Sequence, residues 1–191
     1  MLIIYILILL ILLVLVGMPY ERVMLSRIMA VRKIERLCRE RDINFMVINR
    51  AYPITRNKKN EFDFVFRIDK TVVPVKFFSA TEKKSTILLD RSGKICTVSQ
   101  YKKPLSRDEK MQVKTVKKYG SLPNMKINKK MVGERNTCFP VFLNEPSFSK
   151  VLFSDDKGDI SNFYDGNHRI AGCNFMDKIV LLDLISMYEN K

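Results

Sequence analysis

The chain has 191 residues, 34 Lys and Arg against 20 Asp and Glu, and a formal net charge of +14. This length is enough for one domain with a substantial core. The charge favours a polyanionic partner, and the single histidine excludes His-rich metal sites.

The first 18 residues contain no charged side chain. As a helix they would span roughly 27 Å, close to the thickness of the hydrocarbon core of a bilayer. The sequence therefore predicts a transmembrane anchor over residues 1–18. A basic juxtamembrane helix over 19–42, the first helix of the domain, and one domain over 43–191 would follow. A cleaved signal peptide and a buried core helix are the alternatives for the apolar run.

The charge around this run predicts its orientation. No basic residue precedes it, whereas seven follow closely: Arg22, Arg27, Arg32, Lys33, Arg36, Arg39 and Arg41. The positive-inside rule then favours a single-pass protein of the inner (cytoplasmic) membrane with its domain facing the cytoplasm. The widely spaced cysteines match no disulfide or zinc pattern, which predicts four reduced thiols.

The next segments predict a helix and then mainly strands. A helix is expected from Pro19 to about Arg41, where apolar residues recur at helical spacing. The predicted strands run over Ile43–Ile48, Phe62–Asp69, Thr71–Phe78, Ser85–Asp90 and Ile95–Tyr101, with a polar loop over Ala51–Asn60. Alternation over Phe62–Asp69 predicts one apolar face. Short connections at Asp69-Lys70 and Arg91–Lys94 predict two hairpins.

A further helix is predicted over residues 106–119. Ser106 and Glu109 form a capping-box pattern, and Gly120 stands where a helix commonly ends. Buried strands over Phe139–Leu143 and Lys150–Phe153 and a final strand and helix over Ile179–Tyr188 complete the chain. This order predicts an α/β (α+β) fold with one mixed central sheet flanked by helices.

Two neighbouring strands carry the candidate chemistry. Glu61 and Asp63 share one face of their strand, as Pro74 and Lys76 share one face of the next. A tight hairpin would bring Asp63 toward Lys76. Carboxylates beside a lysine suit metal-assisted phosphodiester cleavage, in which the carboxylates hold Mg²⁺ and the lysine stabilises the attacking water or developing charge.

These segments resemble the nuclease-related domain (NERD), a branch of the PD-(D/E)xK nuclease-like superfamily. The resemblance covers most of residues 21–190 in element order. Its matching pieces are Phe62–Phe66, Val73–Phe77, Lys103-Pro-Leu105 with the helix predicted after it, and Phe139–Phe142. It implies a restriction-endonuclease-like fold for the domain.

The resemblance assigns roles to two residues and leaves a third role, that of the second acidic ligand, without a matching residue. Asp63 matches the metal-binding aspartate of the family, and Lys76 matches its catalytic lysine. Pro74 stands in the place of a second acidic ligand, and proline offers none. Glu61, on the same strand face as Asp63, is the replacement candidate. If the protein is catalytic, Asp63 and Glu61 would bind Mg²⁺ and Lys76 would assist the nucleophile.

The basic clusters leave two kinds of partner open. Lysine and arginine bind nucleic-acid phosphates without sequence preference, so DNA or RNA is one expected partner. Anionic lipid headgroups are the other, chiefly for residues 22–41. The sequence thus predicts a membrane-anchored nuclease-like domain that binds nucleic acid. The alternative is a non-catalytic membrane protein whose basic domain docks to anionic lipid or to a protein complex.

His168, the single histidine, lies near the predicted turn Asp165-Gly-Asn167 and is interpreted as a surface residue.

Overall fold

The computed structural model describes residues 2–50, 61–78, 86–102, 110–123, 125, 127, 132–133, 135–145, 150–162 and 169–188. Within the first helix, the side chains described are those of residues 5–8 and 21–40. The predicted loop over Ala51–Asn60, the capping box at Ser106–Glu109 and His168 lie outside the described residues.

The described part is mixed α/β and consists mostly of strands. Its helices are α1 (Leu2–Glu40) and α2 (Lys178–Ser186). Its strands are β1 (Asn44–Val47), β2 (Phe64–Ile68), β3 (Thr71–Phe78), β4 (Thr86–Asp90), β5 (Lys94–Lys102), β6 (Gln112–Ser121), β7 (Thr137–Cys138), β8 (Val141–Asn144), β9 (Lys150–Ser154), β10 (Ile160–Asn162), β11 (Arg169–Ile170) and β12 (Cys173–Asp177).

The first sheet has seven strands in the order β1-β2-β3-β8-β12-β11, with β7 also pairing with β3. Strands β1, β2 and β3 form an antiparallel meander. Strand β8 then lies parallel to both β3 and β12. Because β3, β8 and β12 run in the same direction, their carboxyl ends meet at one edge of the sheet.

The second sheet has five strands in the order β10-β9-β4-β5-β6. Three register shifts between β5 and β6 increase its twist. The sheet curls so far that Lys110, just before β6 at one edge, forms a 2.5 Å ion pair with Asp159, just before β10 at the other.

Side chains from the two faces of the first sheet form two large cores, beside a small third cluster of Val65, Val72 and Val132. Val141 and Leu143 of β8 pack with α1 and α2, whereas Phe142 between them packs against the second sheet. Alternate residues of a strand point to opposite faces, so one strand supplies both cores. The result is three layers: helices, the seven-stranded sheet and the five-stranded sheet.

The predicted transmembrane anchor is corrected by this structure. No helix in the described part of the chain is both long and apolar enough to cross a membrane. The helix does not end near residue 18 but continues to Glu40, and its second half carries many charged residues. Ala30, Val31 and Ile34 of that half are buried against the sheet. The predictions of a single-pass span and of an inner-membrane location with a cytoplasmic domain are therefore wrong.

The arrangement of sheets and helices also differs from the prediction. There are two sheets rather than one central sheet, and both helices belong to the core on one face of the first sheet. The predicted helix over 106–119 is wrong, because Gln112–Ser121 forms strand β6 paired with β5. The segment Gln112–Val116 has β-branched residues at alternate positions, and pairing with β5 favoured the strand over local helix signals.

Both predicted hairpins are confirmed. Strands β2 and β3 pair antiparallel through Asp69, which has a positive φ of 49°, and β4 and β5 pair through the turn at Gly93. Gly93 has a φ of +82°, and an added Cβ would lie 3.1 Å from the Leu122 Cβ, so this turn requires glycine. The single apolar face predicted for Phe62–Asp69 is wrong: Phe64, Val65 and Phe66 are all buried.

Candidate functional site

Four polar or charged residues are buried among those that the structure describes: Asp63, Lys76, Asn144 and Glu145. Buried polar groups are more informative than exposed ones, because each needs a partner to offset its desolvation. Asp63 and Lys76 belong to the β2–β3 hairpin. Asn144 and Glu145 lie at the end of β8, where the Glu145 amide donates to the Phe78 carbonyl at the end of β3.

Asp63 stands immediately before β2 and is 3% exposed. Its amide donates to the Val75 carbonyl, which continues the β2–β3 ladder and sets Asp63 opposite Lys76. One carboxylate oxygen, Oδ2, accepts from the Phe77 amide at 2.7 Å, and Oδ1 accepts from Asn49 Nδ2 at 3.2 Å. The carboxylate thus ties the meander together.

Lys76 is also buried, at 7% exposure, and its Nζ donates to the Glu61 backbone carbonyl at 2.6 Å. Burial lowers the pKa of Lys76, and the positive charge of Arg27 lowers it further, while the carboxylates of Asp63 and Glu61 act in the opposite direction. These electrostatic interactions place Arg27, Asp63 and Lys76 in one cluster, the Arg27–Lys76 cluster.

Arg27 enters this cluster from α1. Its guanidinium carbon lies 5.4 Å from the centre of the Phe77 ring, within the range of a cation–π interaction. Burial lowers the pKa of Arg27, and the charge of Asp63 opposes that shift. Two cationic side chains therefore interact electrostatically with the Asp63 carboxylate, and Arg27 is the more exposed of the two.

The other predicted site residues occupy different positions. Glu61 is exposed, and its backbone carbonyl accepts the hydrogen bond from Lys76 Nζ. Pro74 is a buried residue of β3 opposite Val65, so a carboxylate there would have shared the strand face of Lys76. The structure brings Asp63 and Lys76 together and leaves Glu61 at the rim.

A second group of polar residues lies at the carboxyl ends of the parallel strands β8 and β12. Glu145 accepts from the Ser26 hydroxyl of α1 and forms a 3.2 Å ion pair with Lys178. The Asn144 amide donates to Asp177 Oδ1 at 2.8 Å. Asp177 is the N-cap residue of α2, yet its carboxylate makes no cap hydrogen bond to that helix. These contacts join α1, β8 and α2.

The fit of this site to Mg²⁺ is poor. Asp63 has the oxygen ligands that Mg²⁺ prefers, but both oxygens already accept hydrogen bonds, and two cationic side chains neighbour them. Within the described ranges, no group of three or more His, Cys, Asp or Glu side chains is placed to hold a metal ion. The arrangement suits an anion better than a cation.

The sequence-based prediction did not include Arg27, Asn49, Asn144 or Glu145. A signal existed for Arg27: it lies four residues before Val31 and seven before Ile34, on the buried face of α1. A weaker signal existed for Asn144 and Glu145, because polar residues directly after a buried parallel strand lie where α/β sheets commonly bind ligands.

No family model, no curated protein and no solved structure matches this chain.

Proposed function

We propose that this protein binds nucleic acid and that the Arg27–Lys76 cluster accepts a backbone phosphate. The observation that carries this proposal is that Lys76 lies opposite Asp63 across the β2–β3 pair and that the partly exposed Arg27 lies over the neighbouring Phe77 ring. Both cations interact electrostatically with the Asp63 carboxylate. Burial weakens the screening of these charges by solvent, so the remaining positive charge attracts an anion strongly. A guanidinium also suits two-point contact with a phosphate.

Two further features support a nucleic-acid polymer rather than a small anion. The whole chain carries a net charge of +14, and clusters of basic residues recur along it.

Binding of the full-length protein to labelled duplex DNA and duplex RNA tests this proposal by fluorescence anisotropy. The affinity should fall by orders of magnitude between about 50 and 200 mM salt, because each phosphate contact releases counterions. A protein with no affinity for either duplex, or with an affinity that salt does not change, would contradict the proposal.

A substitution in α1 tests the site itself. Arg27→Met should weaken binding and reduce the slope of log K against log salt by about one. The matched control is Arg36→Met, in the same helix, where the side chain is 83% exposed and pairs with Glu40. Equal losses in the two variants would show that Arg27 contributes only to the overall charge, and would remove the Arg27–Lys76 cluster from the proposal.

Cleavage of phosphodiesters with Mg²⁺ remains a prediction from the sequence: the position of Asp63 opposite Lys76 favours it, and the poor fit of the Asp63 carboxylate to Mg²⁺ opposes it. Its test is the conversion of supercoiled plasmid by the full-length protein with Mg²⁺ or Mn²⁺, beside Asp63→Asn, Glu61→Gln and Lys76→Met. Cleavage lost in the Asp63 and Lys76 variants would support catalysis. Cleavage that persists in both variants, or that never appears in the parent protein, would exclude it.

A further inference from the structure

The outer face of α1 combines exposed apolar and exposed basic side chains. Leu25 is 54% exposed and Met29 is 67% exposed, one helical turn apart. At 3.6 residues per turn, six exposed residues of this half of the helix lie within about 100° of one another around its axis. We refer to these six as the outer stripe of α1: Arg22, Leu25, Met29, Arg32, Lys33 and Arg36.

The opposite side of the same half of α1 is packed against the protein. Ala30, Val31 and Ile34 are 0–3% exposed and belong to the core that the helix forms with the first sheet. This packing fixes the rotation of the helix, so Leu25 and Met29 remain directed to the surface. A single exposed apolar residue is ordinary, but an apolar pair with basic residues on either side is typical of a helix that lies on a lipid surface.

The combination of groups in the outer stripe indicates which partner fits. An anionic lipid surface offers phosphates to the basic side chains and, just beneath them, hydrocarbon to the apolar ones. Nucleic-acid phosphates would bind the basic residues but would leave Leu25 and Met29 without apolar contacts. A second copy of the protein would bring like charges together, which opposes association.

Two other features of α1 agree with a lipid partner. The exposed charged residues over 21–40 are five basic and two acidic, so this face is cationic even though Arg36 pairs with Glu40. Near the start of the same helix, the apolar side chains over Tyr5–Ile8 are 49–66% exposed. The helix therefore offers apolar contacts to lipid in more than one turn.

We infer that the outer stripe of α1 docks the protein to an anionic lipid surface. Leu25 and Met29 enter the boundary between headgroups and hydrocarbon, and the basic residues contact the lipid phosphates. This half of the helix lies along the surface and does not cross it, because its inner side is packed on the sheet. The inference goes beyond the proposed nucleic-acid site, since Arg27 lies on the inner side of α1 over the Phe77 ring.

Flotation of the full-length protein with lipid vesicles tests the apolar pair. Vesicles of phosphatidylcholine alone are compared with vesicles that also contain phosphatidylglycerol. Leu25→Gln with Met29→Gln leaves the charge unchanged and should lower binding to the anionic vesicles about tenfold or more. The matched control is Ile179→Gln with Met187→Gln, at residues 69% and 80% exposed in and just after α2, and it should bind as the parent does.

A second pair of variants tests the basic residues of the stripe. Arg32→Gln with Lys33→Gln should lower binding to the anionic vesicles about tenfold or more, because each basic residue near such a surface adds to the attraction. The control, Lys70→Gln with Lys157→Gln, removes the same charge from exposed turns of the two sheets and should have a smaller effect. Circular dichroism verifies the folding of every variant.

The outcomes separate this inference from the proposed function. Equal vesicle binding by the Leu25–Met29 variant and its control would overturn the docking surface, as would a parent protein that binds neutral and anionic vesicles equally or binds neither. A dimer in sedimentation velocity that this variant loses, with vesicle binding unchanged, would assign the stripe to a second copy.

Binding of the same variants to duplex DNA completes the test. The Leu25–Met29 variant should keep the affinity of the parent for DNA, because its charge is the same. A loss of DNA affinity equal to its loss of vesicle binding would overturn the choice of lipid as the partner. A parent protein that binds anionic vesicles but no DNA would contradict the proposed function and support the docking surface.

Discussion

At the residue scale, the candidate site is built around the Asp63 carboxylate. Its carboxylate accepts from the Phe77 amide and the Asn49 side chain and lies beside the charges of Arg27 and Lys76. Removing one member of a buried charged group leaves an uncompensated charge, which commonly costs about 3–5 kcal/mol. Asp63→Asn also removes the negative charge, but it retains the shape of the side chain and an oxygen acceptor, which makes it a better probe than Asp63→Ala.

The buried thiols give a prediction at this same scale. Burial raises the pKa of Cys38 and of Cys173 from 9.0 to about 12, and all four cysteines are free, as predicted from their spacing. Since the thiolate is the reactive form, neither residue should react with iodoacetamide at neutral pH in the folded protein. Mass spectrometry of labelled peptides should find Cys96, which is partly exposed, modified first.

Unfolding in urea is the control for this experiment, because it should make all four cysteines react. A Cys38 that reacts as fast in the folded as in the unfolded protein would contradict its buried position.

The raised pKa of Cys38 and Cys173 also means that the folded state holds these protons more tightly than the unfolded state. The free energy of unfolding should therefore fall as the pH rises from about 9 to about 12.

At the scale of single elements, α1 shows how one helix serves two purposes. Its buried face over Ala30–Cys38 packs on the first sheet, and the same half of the helix supplies Arg27 and Ser26 to the polar groups. The packing of this half therefore fixes the position of the candidate site. Substitutions that loosen the helix should disturb the site even when they lie outside it.

A pair of substitutions in α1 tests its packing. Ile34 is fully buried, and Ile34→Ala should lower the free energy of unfolding by about 2–5 kcal/mol because it leaves a cavity. Met29 is 67% exposed on the same helix, and Met29→Ala should change stability by less than about 0.5 kcal/mol. Urea unfolding followed by circular dichroism measures both. Similar effects of the two substitutions would contradict the buried face assigned to α1.

At the scale of the whole molecule, the two cores share the seven-stranded sheet. Val141 and Phe142 are neighbours in β8 but belong to opposite cores. A strand that contributes to both faces couples them, because losing its position removes packing from each core at once. The second sheet and the helices are expected to unfold together.

This coupling predicts a single unfolding transition. Far-UV circular dichroism and the fluorescence of the seven tyrosines should report the same urea midpoint, since the chain has no tryptophan. Phe142→Ala should lower both midpoints equally, although the Phe142 side chain belongs to the core between the sheets. Two separate transitions, or a shift seen by one probe alone, would show that the layers unfold independently.

Much of the local structure could be predicted from the sequence. The hairpins at Asp69 and Gly93 follow from alternation and turn residues, and the Asp63–Lys76 pairing follows from the β2–β3 register that the short turn imposes. The helical spacing between Pro19 and Arg41 is confirmed within α1. These features depend on residues near one another in the chain.

Other features depended on contacts that only the tertiary structure supplies. A helix was predicted over residues 106–119, but pairing with β5 makes Gln112–Ser121 a strand. Val65, on the face of β2 opposite Phe64 and Phe66, is buried in a cluster with Val72 and Val132. The apolar start of the chain predicts a helix correctly but not its surroundings, because an apolar surface is compatible with more than one environment. The sequence by itself thus determined the periodicity, the turns and the charge of this protein. The tertiary structure decided which faces are buried and which charged residues meet, because both depend on segments that are far apart in the chain.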